Sequence, residues 1–451
     1  MTLGELRSAM GSGGSDAQDA ELLASLETAL LANPCDAGAW STLGVLLRRS
    51  GKLNEAIACH NRALEHAPDN ASIWTNLGNA LTGAGRLTEG VAAQEEALRR
   101  EPYNRTAMFN AVVSLRQAGR FAEALAMIER AGGPAADSAL RWERALVRLQ
   151  IGDYVHGFDD YAGRRSLPSY NGRRATRPAW DGKALDGRSV FLTAEQGLGD
   201  ALLMARYLPL VKALGGRVLY EGHEEFRRLL SGPEIDEYRS WGGPVDGDVE
   251  ASQMDLPGLL GTTLASIPPP VRLRVPEEAR RKATAILGAR EPGTLRVGIV
   301  WSGRVTFADN ARRATSLAPF LRFAEIPGVR LYSLQKGPPE AELAELGPAR
   351  RLIVPLGPEL EDFADTAAMV EQLDLVIMTD SSVAHLAGAL GKPVWNLLQY
   401  VPYWIYGFTG AWTPWYPSMR LFRQGMDQDW RPVFDTAAEA LRDEVRRRTG
   451  R

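Results

Sequence analysis

Trp40 and Trp74 stand 34 residues apart, and Leu43 with Leu77 and Gly44 with Gly78 keep the same interval. The period continues through Gly51, Gly85 and Gly119, through Glu55, Glu89 and Glu123, and through Ala63, Ala97 and Ala131. Pro34, Pro68 and Pro102 close the successive units. A unit of this length is a helix pair that cannot bury its apolar face alone, so it must stack on copies of itself. The first third of the chain is therefore expected to be an α-helical superhelix.

Trp-x-x-Leu-Gly, a small residue in the second helix and a terminal proline at this period are the pattern of tetratricopeptide repeats. Trp142 keeps the register of Met108, and Gly152-Asp153-Tyr154 starts the next helix one residue early. A degenerate fourth unit is thus expected to reach about Arg165, which gives a repeat domain over 21–165. Stacked helix pairs leave a concave groove. Asn76, Asn79 and Asn110 fall on first helices near it, and Asn76 and Asn110 share one repeat position. They read either as a rail for the backbone of a bound partner or as solvated polar surface.

A chain of 451 residues is too long for one core, and two or three domains are expected. The net charge of −3 argues against broad nucleic-acid binding. The two cysteines, Cys35 and Cys59, make neither a disulfide framework nor a zinc site. A basic segment followed by an apolar core is missing at the N-terminus, and no run is long enough to span a bilayer, so a cytoplasmic protein is expected. Residues 1–20, with Gly11-Ser12-Gly13-Gly14-Ser15, hold few large apolar groups and are expected to be disordered.

Past a linker at 166–188, rich in proline, glycine and arginine and expected to be solvated, the periodicity changes to that of α/β units. Ser189 to Thr193 reads as a strand, Glu195 to Asp200 as a glycine-rich turn, Ala201 to Leu214 as a helix and Arg217 to Glu221 as a strand. Gly197 and Gly199 alone make a weak phosphate signal, and the rest of a dinucleotide fingerprint is missing. Asp246-Gly247-Asp248 sits in a Gly/Pro-rich loop and reads as a turn rather than a metal site. The first half is expected over 189–290 and the second over 291–451. The second opens with the strand Leu295 to Trp301. Gln335-Lys336-Gly337 ends its next strand, which is where ligands bind in open α/β sheets, so Lys336 is a candidate nucleotide contact.

Leu375 to Met378 is a short apolar run, followed by Asp380, Ser381 and Ser382, and then by Val383, Leu386, Ala387 and Leu390 at helical spacing. His385 lies one turn in and leans back over the two serines. Free amide groups, the positive end of a helix, two hydroxyls and an imidazole together suit a phosphate or diphosphate. The competing reading is an ordinary capped helix with a partly buried histidine.

The run Asp380-Ser381-Ser382-Val383-Ala384-His385-Leu386-Ala387-Gly388-Ala389-Leu390-Gly391-Lys392-Pro393-Val394 resembles the donor-site motif of heptosyltransferase-like glycosyltransferases (glycosyltransferase family 9), distant relatives of the O-GlcNAc transferase catalytic region. Val297 to Gly303, with Asn310, Arg312 and Arg313, is similar to the opening of that family's donor half. The resemblance implies two facing doubly wound Rossmann-like domains of glycosyltransferase-B type, with the active site between them and no metal or other cofactor. It implies Asp200 as general base, with Glu195 as a weaker alternative, Gly197 and Gly199 on the acceptor side, and Arg313 with Asp380, Ser381, Ser382 and His385 on the donor phosphates. The family carries Asp and Arg around a Trp where this chain has Tyr403-Trp404-Ile405. The expected function is sugar transfer from a nucleotide sugar to an acceptor hydroxyl, on a protein (a flagellin-like Ser or Thr) recruited by the repeats. The alternatives are a repeat scaffold with an inactive transferase-like region, and a transferase acting on lipopolysaccharide.

Overall fold

The computed structural model describes residues 16–133, 137–168, 170, 172–307 and 310–449. Residues 1–15, most of the stretch expected to be disordered, lie outside the described residues. From Asp16 the chain is helical (α1, Asp16–Ala32). The chain divides into two compact units between Val147 and Arg148.

The first unit is the repeat array: α2 (Ala37–Arg49), α3 (Leu53–His66), α4 (Ala71–Gly83), α5 (Leu87–Arg100), α6 (Arg105–Gln117) and α7 (Phe121–Arg130), leading into α8 (Ser138–Gln150). The periodic residues have distinct physical tasks. Trp40 and Trp74 donate their indole N–H to the carbonyls of Pro34 and Pro68, at 2.9 and 2.8 Å, which ties each first helix to the turn before it. Asp36, Asn70 and Asn104 cap the first helices at the same interval. Gly51, Gly85 and Gly119 take φ of 77°, 78° and 73°, the left-handed conformation that lets each first helix turn into its second.

Gly44 and Gly78 are where the two helices of a unit touch. A Cβ on Gly44 would lie 2.6 Å from the ring of His60, and one on Gly78 would lie 2.5 Å from the amide of Gln94. Gln94 uses its amide on the Thr75 carbonyl at 3.2 Å and on Asn79 Oδ1 at 3.0 Å. His60, at the same repeat position, is fully buried and neither ring nitrogen has a partner among the described residues. Burial, helped by Arg48, pushes its pKa down to about 4. The fold thus accepts only the neutral ring, and its contribution is complete above the ordinary value of 6.5 and is lost as pH falls toward 4. The loss between pH 7 and pH 5 is on the order of 2 kcal/mol. His60→Gln removes this dependence, and denaturant unfolding of the full chain at the two pH values checks it. Equal losses in wild type and variant would contradict the assignment.

The second unit holds two all-parallel sheets. The first has order β3-β2-β1-β4, from β1 (Ser189–Thr193), β2 (Arg217–Gly222), β3 (Glu237–Ser240) and β4 (Val249–Ser252). The second has order β10-β9-β8-β5-β6-β7, from β5 (Leu295–Val300), β6 (Val329–Ser333), β7 (Ile353–Pro355), β8 (Leu375–Thr379), β9 (Val394–Leu398) and β10 (Met419–Arg423). Every residue of β5, β8 and β9 is buried, as expected of central parallel strands covered on both faces. The larger sheet is covered in part by Trp301, Phe320, Phe323 and Phe434, the last from the closing helix Arg431–Thr449. The repeat array therefore leads into a two-sheet α/β region, the fold class expected from the sequence.

Segments between the expected domains are built into this second unit. Helix α9 (Tyr154–Tyr161), read as part of a fourth repeat, packs Tyr154 and Phe158 against Trp404, with ring centroids at 5.9 and 5.5 Å. Tyr154 Oη also accepts the Trp415 indole N–H at 2.8 Å. Neither the end of the expected fourth unit nor the arginine-rich linker after it is uniformly solvated. Arg164, 3% exposed, bonds both oxygens of Glu195 at 2.7 Å and one oxygen of Asp255 at 2.8 Å. Arg173 pairs with the fully buried Glu221, and the backbone N–H of Trp180 donates to the Glu250 carbonyl of β4. These arginines bury because carboxylates at strand ends await them; linker composition alone does not show that. Helix α11 (Glu277–Leu287), assigned by sequence to the first half, instead packs on α12 (Phe363–Gln372) of the second, through Arg280–Glu371 at 2.7 Å and Lys282–Asp365 at 2.6 Å.

Candidate active site between the two sheets

Two strand ends supply the site. After β1 the chain turns through Gln196, which holds a positive φ of 68°, and enters α10 (Leu198–Met204). After β8, Asp380 and Ser381 lead into α13 (Ser382–Ala389). The starts of α10 and α13 abut. A Cβ on Gly199 would lie 2.9 Å from Cδ2 and 3.1 Å from Nε2 of His385, and 3.6 Å from Cα of Ser382. Only glycine permits that approach.

Asp200, the third residue of α10, retains some exposure. Its Oδ2 accepts the Gly197 N–H at 3.0 Å, and its Oδ1 accepts the hydroxyl of Tyr403 at 2.7 Å. Burial raises its pKa, the two hydrogen bonds oppose that, and Asp380 adds to it. Asp380 is buried, accepts the Tyr406 hydroxyl at 2.9 Å and lies 3.8 Å from the Arg313 guanidinium. Burial raises its pKa as well.

His385 is 4% exposed, and its Nδ1 faces Tyr416 Oη at 3.1 Å. Burial, with Arg206 and Arg313 nearby, pushes its pKa down to about 3. The imidazole is therefore neutral at physiological pH and serves as a hydrogen-bonding group, not a cation. Ser381 precedes α13 but does not cap it, and its buried Oγ has no partner among the described residues. Ser382 is half-buried at the helix start. Arg313 stacks over Phe307 at 4.5 Å, and its buried Nε is unpaired among the described residues. An unpaired hydroxyl, the first amides of a helix and an arginine are the kinds of group that bind anions.

Asp200, Gly199, Asp380, Ser381, Ser382, His385 and Arg313 are thus brought together at the facing starts of α10 and α13. Lys336 stands apart, its ammonium donating to the carbonyls of Gly357 at 3.4 Å and of Leu360. Glu195 is held by Arg164 and by Ser252 at 2.6 Å. Burial works to raise its pKa, but the bonds from Arg164 and Ser252 win and leave it lowered, which is wrong for a base. Asp246 pairs with Arg239, and Asp248 accepts the backbone N–H of Ser189 at 2.7 Å. In the first unit, Asn76 donates to Ser41 Oγ at 3.2 Å and lines a hollow with Thr42 and Asn70. Asn79 is engaged by Gln94 across the helix pair, while Asn110 is half-buried.

The sequence reading missed the hydroxyls of Tyr403, Tyr406 and Tyr416, which meet Asp200, Asp380 and His385 in turn. The available signal was the tyrosine-rich run itself, from Tyr400 to Tyr416.

Residues 44–85 match the TPR repeat family and residues 75–139 the tetratricopeptide repeat family. Protein FlbA of Caulobacter vibrioides is 31% identical over 352 residues, covering 69% of this chain and 56% of that protein. The chain thus spans little more than half the length of that curated relative. The glycosyl transferase family 9 structure from Veillonella parvula DSM 2008 aligns with a TM-score of 0.44 and 14% identity, over 59% of this chain and 100% of that one. E. coli ADP-heptose lps heptosyltransferase II aligns with a TM-score of 0.42 and 13% identity, over 57% of this chain and 99% of that one. The first unit is built of tetratricopeptide repeats. The second is the two-sheet α/β region.

Proposed function

We propose that the chain is a glycosyltransferase that moves a sugar from a nucleotide sugar to an acceptor hydroxyl. The observation that carries this reading is the meeting of Asp200, from the first sheet, with the start of α13 and Arg313, from the second. The diphosphate lies against Ser381, the amides of Ser382 and Val383, and Arg313, with His385 as a neutral support. Asp200 takes the proton of the acceptor hydroxyl as its oxygen bonds to the anomeric carbon. The bond from that carbon to the diphosphate breaks, and its electron pair leaves with the nucleoside diphosphate. Charge on the leaving group is met by Arg313 and the helix start, so the reaction needs no metal.

The acceptor in this proposal is a protein recruited by the groove of the repeats, where Asn76 and Ser41 lie, and the site of action is the cytoplasm. No helix among the described residues is long and apolar enough to cross a membrane. A lipopolysaccharide sugar is the competing acceptor. One observation favours a second reading, a scaffold without activity: a tyrosine hydroxyl already donates to one oxygen of each site carboxylate.

Thermal unfolding against a panel of nucleoside diphosphates and nucleotide sugars separates the two, because a ligand of the native state raises the midpoint by mass action. A transferase shows a rise with one nucleotide class that is diminished in Ser381→Ala. No rise with any member favours the scaffold.

A further inference from the structure

Three hydroxyls of one short aromatic stretch reach the two carboxylates and the imidazole of the site: Tyr403 to Asp200, Tyr406 to Asp380 and Tyr416 to His385. The first contact is the one that bears on proton transfer. Tyr403 donates to Oδ1 of Asp200 at 2.7 Å while Gly197 N–H donates to Oδ2 at 3.0 Å. Each carboxylate oxygen has two acceptor positions, so this pair fixes the plane of the carboxylate and leaves a position open on each oxygen.

Tyr403 is held too firmly to be a loose cover. The next residue, Trp404, is 3% exposed and packs edge-on against Tyr154, Phe158 and Trp415, with centroids at 5.9, 5.5 and 5.1 Å. Tyr154 and Phe158 belong to α9, and the same segment supports the other side of Asp200. The Tyr161 hydroxyl accepts from Gln196 at 2.7 Å, and Arg164 grips Glu195, both in the turn that leads to Asp200. Residues 154–164 thus brace the carboxylate from the turn below it and, through Trp404, from Tyr403 opposite.

We infer that Tyr403 is a positioning residue for Asp200, held by α9 through Trp404, and that its hydroxyl sets both the orientation and the basicity of that carboxylate. The inference rests on the reading of Asp200 as the base. It also explains why Tyr403-Trp404-Ile405 can depart from the pattern that the sequence resembles: a phenol anchored by a buried indole orients the base here.

Tyr403→Phe keeps the ring and removes only the donor. Protein labelled with 13C at the aspartate carboxyl reports the titration of Asp200, its signal being the one lost in Asp200→Asn. The expected result is an upward move of the Asp200 midpoint in Tyr403→Phe, because a hydrogen bond to the charged form is gone. Nucleoside diphosphate release from the nucleotide sugars of the panel falls about tenfold in kcat, with KM for the donor unchanged. Tyr403→Leu, which removes ring and donor together, moves the titration midpoint the same way. An unmoved midpoint in both variants, each unfolding as wild type does, overturns the inference and leaves the proposed function standing. Full release by Asp200→Asn overturns both.

Discussion

Asp200→Asn is expected to cut sugar transfer by about a thousandfold, within the range that a positioned general base contributes. The amide cannot take the acceptor proton. It also cannot accept from both Tyr403 and Gly197, since one of its two atoms is now a donor. The fold should persist, because losing one helix-start bond at a partly exposed position costs about 1 kcal/mol. Affinity for the nucleoside diphosphate should be unchanged, since Asp200 lies on α10 and the proposed phosphate contacts lie at the start of α13 and on Arg313. Transfer rates and nucleotide titrations of the same preparation check both halves of this expectation. A variant that binds and transfers normally would remove Asp200 from the chemistry.

Arg313→Ala is expected to weaken binding of the nucleoside diphosphate by tenfold to a hundredfold, roughly the value of one or two charge-assisted hydrogen bonds. Its effect should also reach Asp380. That carboxyl is buried, its pKa already raised, and Arg313 at 3.8 Å is the cation acting to lower it. Without the guanidinium Asp380 favours its protonated form further, and less negative charge then stands beside the diphosphate. The two changes oppose each other, so the loss should grow as pH rises and Asp380 ionises with the Tyr406 hydroxyl but no guanidinium beside it. Calorimetric titration at two pH values measures this. A loss independent of pH would place Arg313 on the phosphate without the coupling to Asp380.

What the sequence made legible was whatever recurs or follows a local rule. The 34-residue period specified the repeats, because each conserved interval answers a contact inside one unit: Trp40 on Pro34, Gly44 on His60. The run from Leu375 to Gly391 specified strand, turn and helix start, and with them Asp380, Ser381 and His385. What stayed hidden was set by distant partners. Nothing near Arg164 in the chain announces Glu195, 31 residues on, and nothing near Tyr403 announces Asp200, 203 residues away. Lys336 followed a sound rule about strand ends, yet its ammonium found the carbonyls of Gly357 and Leu360 instead. His385 lies in the first turn of α13, as its spacing implies, but its neutrality depends on burial among Gly199, Tyr406 and Tyr416, contacts made only in the folded chain.

The central claim is that the start of α13 and Arg313 hold a diphosphate opposite Asp200. A crystal structure of the full chain, soaked with the nucleoside diphosphate that most raises its unfolding midpoint, tests it most directly. The account predicts phosphate density within hydrogen-bonding distance of Ser381 Oγ, the Ser382 and Val383 amides and the Arg313 guanidinium, with Asp200 facing it across the cleft. Density for that nucleotide anywhere else on the molecule would contradict the account.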